Sequence, residues 1–322
     1  MPRQAIAQLR VGASITKQPY LLRDKSVSTT RTGSLMLRVT LSDRSGALPG
    51  VLFDVPSYVV DTLTTGHGVL VTGRVGEFRQ QTQINIERIE PTELVHLEEY
   101  LPVALRPREE MELELAALCD SVESPLLGSL IKAVFDDQTY AAFVAAPAAK
   151  SLHHATVGGL LEHTLAVVRL ALESGSGYED VDQDLLVTAA LLHDIGKIDA
   201  YDPLTFAITT DGALLGHLYM SAARVERAIA QVEGFDDELR RRLIHAILAH
   251  HGRLEHGSPI LPMTLEALLV HNADEMDASV RGAWEQMQGT GGQGAFTDES
   301  LMHDTRLYRG QDQEPPTQAP LW

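Results

Sequence analysis

The sequence predicts a multi-domain α and β molecule: a small five-stranded β-barrel followed by an all-α helical bundle. Three observations predict it. Apolar residues alternate at every second position in several segments of the first 90 or so residues, then recur at steps of three and four in the rest. The proline- and acid-rich stretch "PTELVHLEEYLPVALRPREE" separates the two patterns. With 322 residues, the chain has length for two domains at roughly 150 residues each. The expected boundaries are 1–92 for the barrel, 93–124 for a linker and first helix, 125–288 for the bundle, and 289–322 for a mobile tail carrying "GTGGQG" and "GQDQEPPTQAP".

In the first part, "SLMLRVTLSD" places Leu35, Leu37, Val39 and Leu41 on one face of a half-buried strand. "SDRSG" is a turn, and "ALPGVLFD" resumes as a strand. "PSYVVDTLTTG" reads as a short helix begun by Pro56 and stopped by Gly66. "GVLVTGRVGEF" and "QTQINIERIE" form a hairpin through Val69, Val71, Ile84 and Ile86. Strands, a short helix and more strands within a hundred residues resemble the OB-fold, a barrel that grips single nucleic-acid strands on one face. Candidate stacking residues are Phe53 and Phe78, and candidate phosphate contacts are Lys25, Arg38, Arg74 and Arg79. Phe53 is equally a core candidate.

Charge separates the two parts. The chain carries −18 overall, yet residues 1–95 hold 11 Lys and Arg against 8 Asp and Glu. A phosphate-binding surface therefore belongs to the first part. No apolar run approaches the roughly 18 residues of a membrane helix, and Arg10 interrupts any apolar leader. Cys119 is the sole cysteine, so no intramolecular disulfide forms and a reducing cytoplasm is expected.

In the second part, "EEMELELAALCDSV", "PLLGSLIKAVF" and "QTYAAFVAA" are helical by period, followed by helices near 159–173, 183–192, 217–232, 236–251 and 262–288. Ten of the thirteen histidines fall between residues 153 and 274. His163 shares a stripe with Leu160, Val167 and Leu170, so it points inward. One inward histidine is ordinarily a core residue; several at helix ends are not. In "LLHDIGK", His193 and Asp194 leave the helical path together and can turn toward one ion. Imidazole with carboxylate suits first-row divalent metals, and two carboxylate oxygens can serve a pair of ions. Gly196 lets the backbone pass close, and Lys197 is within reach of a phosphate. Asp274, in "HNADEMDA", adds a carboxylate 80 residues later.

The phrases "LLEHT", "LLHDIGK", "GHLYMSAARV", "LAHHG" and "NADEMDA", in that order, resemble the HD superfamily of metal-dependent phosphohydrolases. With the barrel in front, residues 10–288 resemble the YhaM family of 3′–5′ exoribonucleases, through "HHATVGGLLEHTLAV", "HDIGKIDAY" and "ILAHHGRLEHGSPILP". The resemblance implies His163, His193, Asp194 and Asp274 as core metal ligands, with His217, His250 and His251 holding a second ion and Asp194 bridging the two. It implies that Lys197 steadies a phosphate oxygen. One departure stands out: Gly159 replaces the acid that HD-GYP cyclic-dinucleotide phosphodiesterases carry four residues before the first histidine. The Gly-Tyr-Pro signature is absent too, and both differences speak against that group.

Weaker candidates surround this set. Lys150, His153 and His154 precede "GGLLEHT" and are read as either a substrate path or a capping loop; Arg253 and His256 follow "HHG". Asp277 shares a helix face with Asp274 and is expected to hold a ligand histidine in place. The leading expectation is a metal-dependent 3′–5′ exoribonuclease that hydrolyses single-stranded RNA with a metal-activated water, with single-stranded DNA as a second substrate. Two divalent ions are expected; manganese is favoured, while iron, magnesium and others stay open, as does a homo-oligomer. No membrane partner is expected. The alternatives are a phosphohydrolase of small nucleotides, a nucleic-acid-binding module with an inactive bundle, and a di-iron oxygenase.

Overall fold

Five strands close into a barrel in the order β1-β2-β3-β5-β4. They are β1 (Ser14–Thr29), β2 (Leu35–Asp43), β3 (Gly46–Phe53), β4 (Gly68–Phe78) and β5 (Gln81–Thr92), with the short helix α1 (Ser57–Thr62) between β3 and β4. The computed structural model describes residues 4–30, 33–78, 81–150, 154–289, 295–300 and 302–310. Neighbouring strands pair antiparallel except β3 with β5, which meet in parallel at Gly50 and Val51 against Ile84 and Asn85. The alternating residues Leu37, Val39, Leu41, Val69, Val71, Ile84 and Ile86 are buried and fill the interior.

The strand that closes the barrel, β1, has no clean period-2 signal. Its register shifts between Ile15 and Gln18 and again between Leu22 and Asp24, so its inward set changes phase twice. Pro19 sits within it.

The chain divides after Pro102, and a separate helical unit begins at Val103. Its helices are α2 (Arg108–Asp120), α3 (Pro125–Val134), α4 (Asp137–Ala145), α5 (Gly159–Gly175), α6 (Gln183–Leu192), α7 (Lys197–Ala200), α8 (Thr210–Leu215), α9 (His217–Ile229), α10 (Asp237–Ala249) and α11 (Leu265–Gln288). Side-chain N-caps start most of them: Ser124, Asp136, Asp182, Thr209, Asp236 and Thr264 each accept a backbone N–H. Such a cap stabilises a helix by about 1 kcal/mol. α5 and α6 are buried on nearly every face, with Leu160, Leu161, Leu165, Leu185, Leu186 and Leu191 at 0% exposure, so they form the centre of the bundle.

The mobile tail expected from residue 289 is replaced in part by a hairpin, β6 (Phe296–Ser300) with β7 (Thr305–Tyr308). Arg309 docks it, donating from Nε to Met287 O at 2.9 Å and from Nη2 to Gly289 O at 2.8 Å, which satisfies carbonyls at the end of α11. Residues 311–322 lie outside the described residues. Among the described residues no helix is long and apolar enough to cross a membrane.

Candidate functional site

Five elements bring histidine and aspartate side chains to one place in the helical unit. His163 comes from the first turns of α5. His193 caps the C-terminus of α6, and Asp194 follows in the turn toward α7. α9 begins at His217, and its first turn packs directly on that turn. A side chain on Gly196 would strike the Ser221 backbone nitrogen, and Gly196 N donates to Ser221 Oγ at 2.9 Å. His250 caps α10 and His251 follows it. Gly252 then takes a left-handed φ of +70°, and its missing side chain leaves room for the His271 ring, which donates to His250 O at 2.8 Å. α11 supplies Asp274.

The donors fall into two sets that share Asp194. Asp194 Oδ2 lies 3.4 Å from His163 Nε2 and 3.3 Å from His193 Nε2, and Asp274 Oδ1 lies 3.2 Å from His163 Nε2. Asp194 Oδ1 lies 3.4 Å from His217 Nε2 and 3.5 Å from His250 Nε2, while His217 Nε2 stands 3.2 Å from His251 Nε2. Lys197 Nζ makes an ion pair with Asp194 Oδ2 at 2.6 Å. His163, His193, Asp194 and His250 are buried; His217 and Asp274 keep side-chain exposures of 17% and 13%, so the cluster opens on their side.

The outer nitrogens fix what the inner ones offer. His193 Nδ1 donates to Ala190 O at 2.8 Å, His250 Nδ1 to Ile247 O at 2.7 Å, and His251 Nδ1 to His256 O at 2.7 Å. His163 Nδ1 donates to Asp277 Oδ2 at 2.7 Å. Carbonyls and carboxylates only accept, so each neutral ring turns an Nε2 lone pair inward. His163 and His193 thus oppose Nε2 to Nε2 at 3.3 Å, which requires a positive charge between them. Asp194 Oδ1 and His250 Nε2 are buried without a hydrogen-bond partner. Around a divalent ion with bonds of about 2.0–2.1 Å, tetrahedral donors sit about 3.4 Å apart, the spacing seen here. Orphaned inward lone pairs at that spacing fit divalent cations.

Electrostatics agrees. Burial alone would lower the His163 pKa, but Asp194, Asp274 and Asp277 outweigh it and hold it well above the ordinary value, so a proton fills the cation's role when no metal is bound. Burial works against ionisation of Asp194, yet Lys197 and His193 keep its carboxyl well below the usual range. Lys197 stays charged despite its burial because Asp194 faces it. Burial holds His217 well below its ordinary value and lowers His251 in the same way, leaving both neutral and ready to ligate.

The remaining candidates separate. Asp277 stands behind His163. His154 is buried beneath the cluster rather than along an open path: its Nε2 donates to Asp277 Oδ2 at 3.0 Å. Its carbonyl lies where a side chain on Gly159 would go, so no acid fits at that position. Lys150, Arg253 and His256 are exposed, and His256 contributes its carbonyl to His251. His153 and Arg79 lie outside the described residues. Glu162 was not legible as part of the site. It is buried beside His163, accepts from Leu105 N and Arg106 N, and pairs with Arg281. The only local signal is an acid inside a run of buried residues.

On the barrel, Arg38, Phe53 and Phe78 line one groove of about 420 Å³ together with Met36, Gln81 and Gln83. Phe53 is 57% exposed and Phe78 56%, so neither is core. Arg74 is exposed on β4 outside that groove. Lys25 is engaged elsewhere: its Nζ donates to Val60 O at 3.0 Å and Leu63 O at 2.6 Å, capping the C-terminus of α1.

Two family models match the chain: an HD domain over residues 160–279 and an OB-fold nucleic acid binding domain over residues 23–92. Relatives match along most of the length. The 3′–5′ exoribonuclease YhaM of Bacillus subtilis is 30% identical over 82% of this chain and 84% of its own. That of Listeria welshimeri is 32% identical over 82% and 86%. That of Oceanobacillus iheyensis is 29% identical over 89% and 91%.

Proposed function

Since the chain belongs to the YhaM family of 3′–5′ exoribonucleases, and is on that ground a hydrolase of the nuclease class, we propose that it removes nucleotides from the 3′ end of single-stranded RNA in a reaction dependent on divalent metal ions. Two ions would share one carboxylate, that of Asp194. The observation that carries this reading is the division of labour on Asp194, whose Oδ2 faces His163 and His193 while its Oδ1 faces His217 and His250.

His163, His193, Asp274 and Asp194 Oδ2 would hold one ion; His217, His250, His251 and Asp194 Oδ1 would hold the other. The first set carries more carboxylate and the second is imidazole-rich, which favours manganese or iron over magnesium alone. When bound, the ions supply Lewis acidity, neutralising charge on a phosphodiester and making water acidic enough to attack at neutral pH. Asp277 keeps His163 turned inward. Lys197, buried and paired with Asp194 Oδ2, is the cation that would meet a phosphate oxygen as negative charge develops there. Phe53 and Phe78 stack bases, and Arg38 meets a phosphate, so the barrel retains the strand between cleavages. Single-stranded DNA, which offers the same phosphates and bases with equally stackable faces, is a second substrate.

The test is a 5′-labelled oligoribonucleotide incubated with the protein and Mn²⁺. A ladder shortening from the 3′ end is the expected result. Endonucleolytic fragments, or phosphate released from mononucleotides while oligomers survive, would overturn the reading.

A further inference from the structure

The ligand histidines are not all oriented by the same kind of group. His193, His250 and His251 donate to the main-chain carbonyls of Ala190, Ile247 and His256. No side-chain substitution removes those acceptors. His163 differs, because its outer nitrogen donates to a side chain, Asp277 Oδ2, at 2.7 Å. That same oxygen accepts from His154 Nε2 at 3.0 Å.

Behind His154 the contacts continue. Its Nδ1 lies 3.1 Å from Glu162 Oε2, and Arg281 Nη2 lies 3.2 Å from that oxygen. Glu162 Oε1 takes the backbone N–H groups of Leu105 and Arg106, both at 3.1 Å. His154 and Glu162 are 1% and 4% exposed, so neither can touch a substrate. His154 also adopts a left-handed φ of +57°, unusual for a residue with a side chain, and an orientation held against that preference is imposed by its surroundings. His154, His163 and Asp277 would themselves satisfy the spacing of a metal site, but their facing atoms are already joined by hydrogen bonds.

We propose that His154 and Glu162 are positioning residues for His163, acting through Asp277, so that they set the metal affinity of the His163 half of the site and not that of the His217 half. The proposal rests on the two-metal reading above. A buried ion-pair network that merely ties α5 to α11 would stabilise the unit without distinguishing the two halves.

The experiment titrates Mn²⁺ alone into the full-length, metal-free protein by calorimetry, with thermal melting in parallel. The wild-type chain is expected to show two binding events. In His154→Ala one of them weakens by roughly 10–100-fold, the usual effect of losing a group that orients a ligand, and the other is unchanged. His154→Gln keeps an N–H directed at Asp277 and recovers most of the loss. Glu162→Gln, which keeps the packing and releases His154, weakens the same event by less than His154→Ala does. Should His154→Ala fail to fold, the Gln variants decide the matter. Equal weakening of both events, unchanged affinity in His154→Ala, a His154→Gln as weak as His154→Ala, or a Glu162→Gln with wild-type affinity would overturn the proposal. A wild-type chain that takes up no Mn²⁺ overturns the metal reading and this proposal with it, whereas two normal events in every variant overturn this proposal alone.

Discussion

The two candidate sites of this chain are built to different tolerances. In the helical unit, donors from five elements converge with their nearest pairs 3.2–3.5 Å apart, and Asp194, His193 and His250 are at most 1% exposed. On the barrel, Phe53 and Phe78 line a groove with more than half of each side chain open to solvent. A cation needs several lone pairs at fixed distances at once, so each donor there is hard to replace. A strand held by stacking and phosphate contacts draws on several weaker groups, and each can be lost singly. Chemistry concentrates in few residues; capture spreads over many.

The sharpest way to break that contrast is Asp194→Ala. It removes a donor from both halves, and turnover is expected to fall by about 10³-fold or more, about 4 kcal/mol of barrier. Strand affinity, measured by fluorescence anisotropy without cleavage, should stay within a few-fold of wild type. Surviving turnover would place the chemistry elsewhere. Metal removal comes next. Chelation should abolish hydrolysis, and Mn²⁺ at 100 times its Kd should restore it and add about 2.7 kcal/mol per occupied site. That corresponds to a melting temperature about 5–10 °C higher for a unit of this size. A melting curve indifferent to Mn²⁺ would contradict the converging donors.

The barrel side of the comparison is probed by Phe53→Ala with Phe78→Ala. Each stacked base lost weakens binding by about 1–3 kcal/mol, so a long oligoribonucleotide should bind about 10–100-fold more weakly. Turnover of a small chromogenic phosphodiester should not change. Equal losses on both substrates would mean that the groove shapes the reaction centre rather than the grip.

Acidity separates the metal-free and metal-loaded chain more gently. Burial holds His217 and His251 below the unfolded value of about 6.5, so below that pH the unfolded chain binds more protons and stability falls. His163 has the opposite sign: raised by Asp194, Asp274 and Asp277 against its burial, it stabilises fully below about 6.5 and loses that contribution as pH rises through its elevated value. Asp277, depressed by its two histidines against burial, adds a further loss only as pH drops below about 3.8. The metal-free chain should therefore melt at its highest temperature near neutrality, with a limb on each side. Bound Mn²⁺ would take the place of the proton on His163 and should flatten the alkaline limb. Ligation by His217 and His251, which must stay neutral, should steepen the acid limb. Identical pH profiles with and without Mn²⁺ would argue against His163 as a ligand.

The legibility of these features follows from their chemistry. A histidine beside an aspartate at a helix end, and paired histidines at another, are rare residues in telling positions, so the histidines and aspartates that the fold gathers could be picked out from local phrases. The barrel was legible wherever alternation held, as in Leu37, Val39 and Leu41. It was not legible in β1, where two register shifts scramble the period. The C-terminal hairpin escaped notice because "FTDES" and "TRLY" carry little apolar signal; its anchor, Arg309, acts on main-chain carbonyls about 20 residues away. Glu162 and His154 depend on partners such as Asp277, which no local phrase reveals.

Lys25 gives the smallest and most discriminating test. A lysine on a mildly basic barrel looks like a phosphate contact in sequence, and only the fold shows it holding the end of α1. Lys25→Met keeps the aliphatic stem and removes two hydrogen bonds, each worth about 0.5–1.5 kcal/mol, so a drop of several degrees in the barrel's melting transition is expected. RNA affinity and its salt dependence should stay as they are. Arg38→Ala, in the groove, should do the reverse: stability holds, affinity falls across all sequences, and the slope of log affinity against log salt decreases by about one. If Lys25→Met also flattened that slope, the lysine would be reaching a phosphate after leaving its carbonyls, and the grip would extend past the groove toward α1.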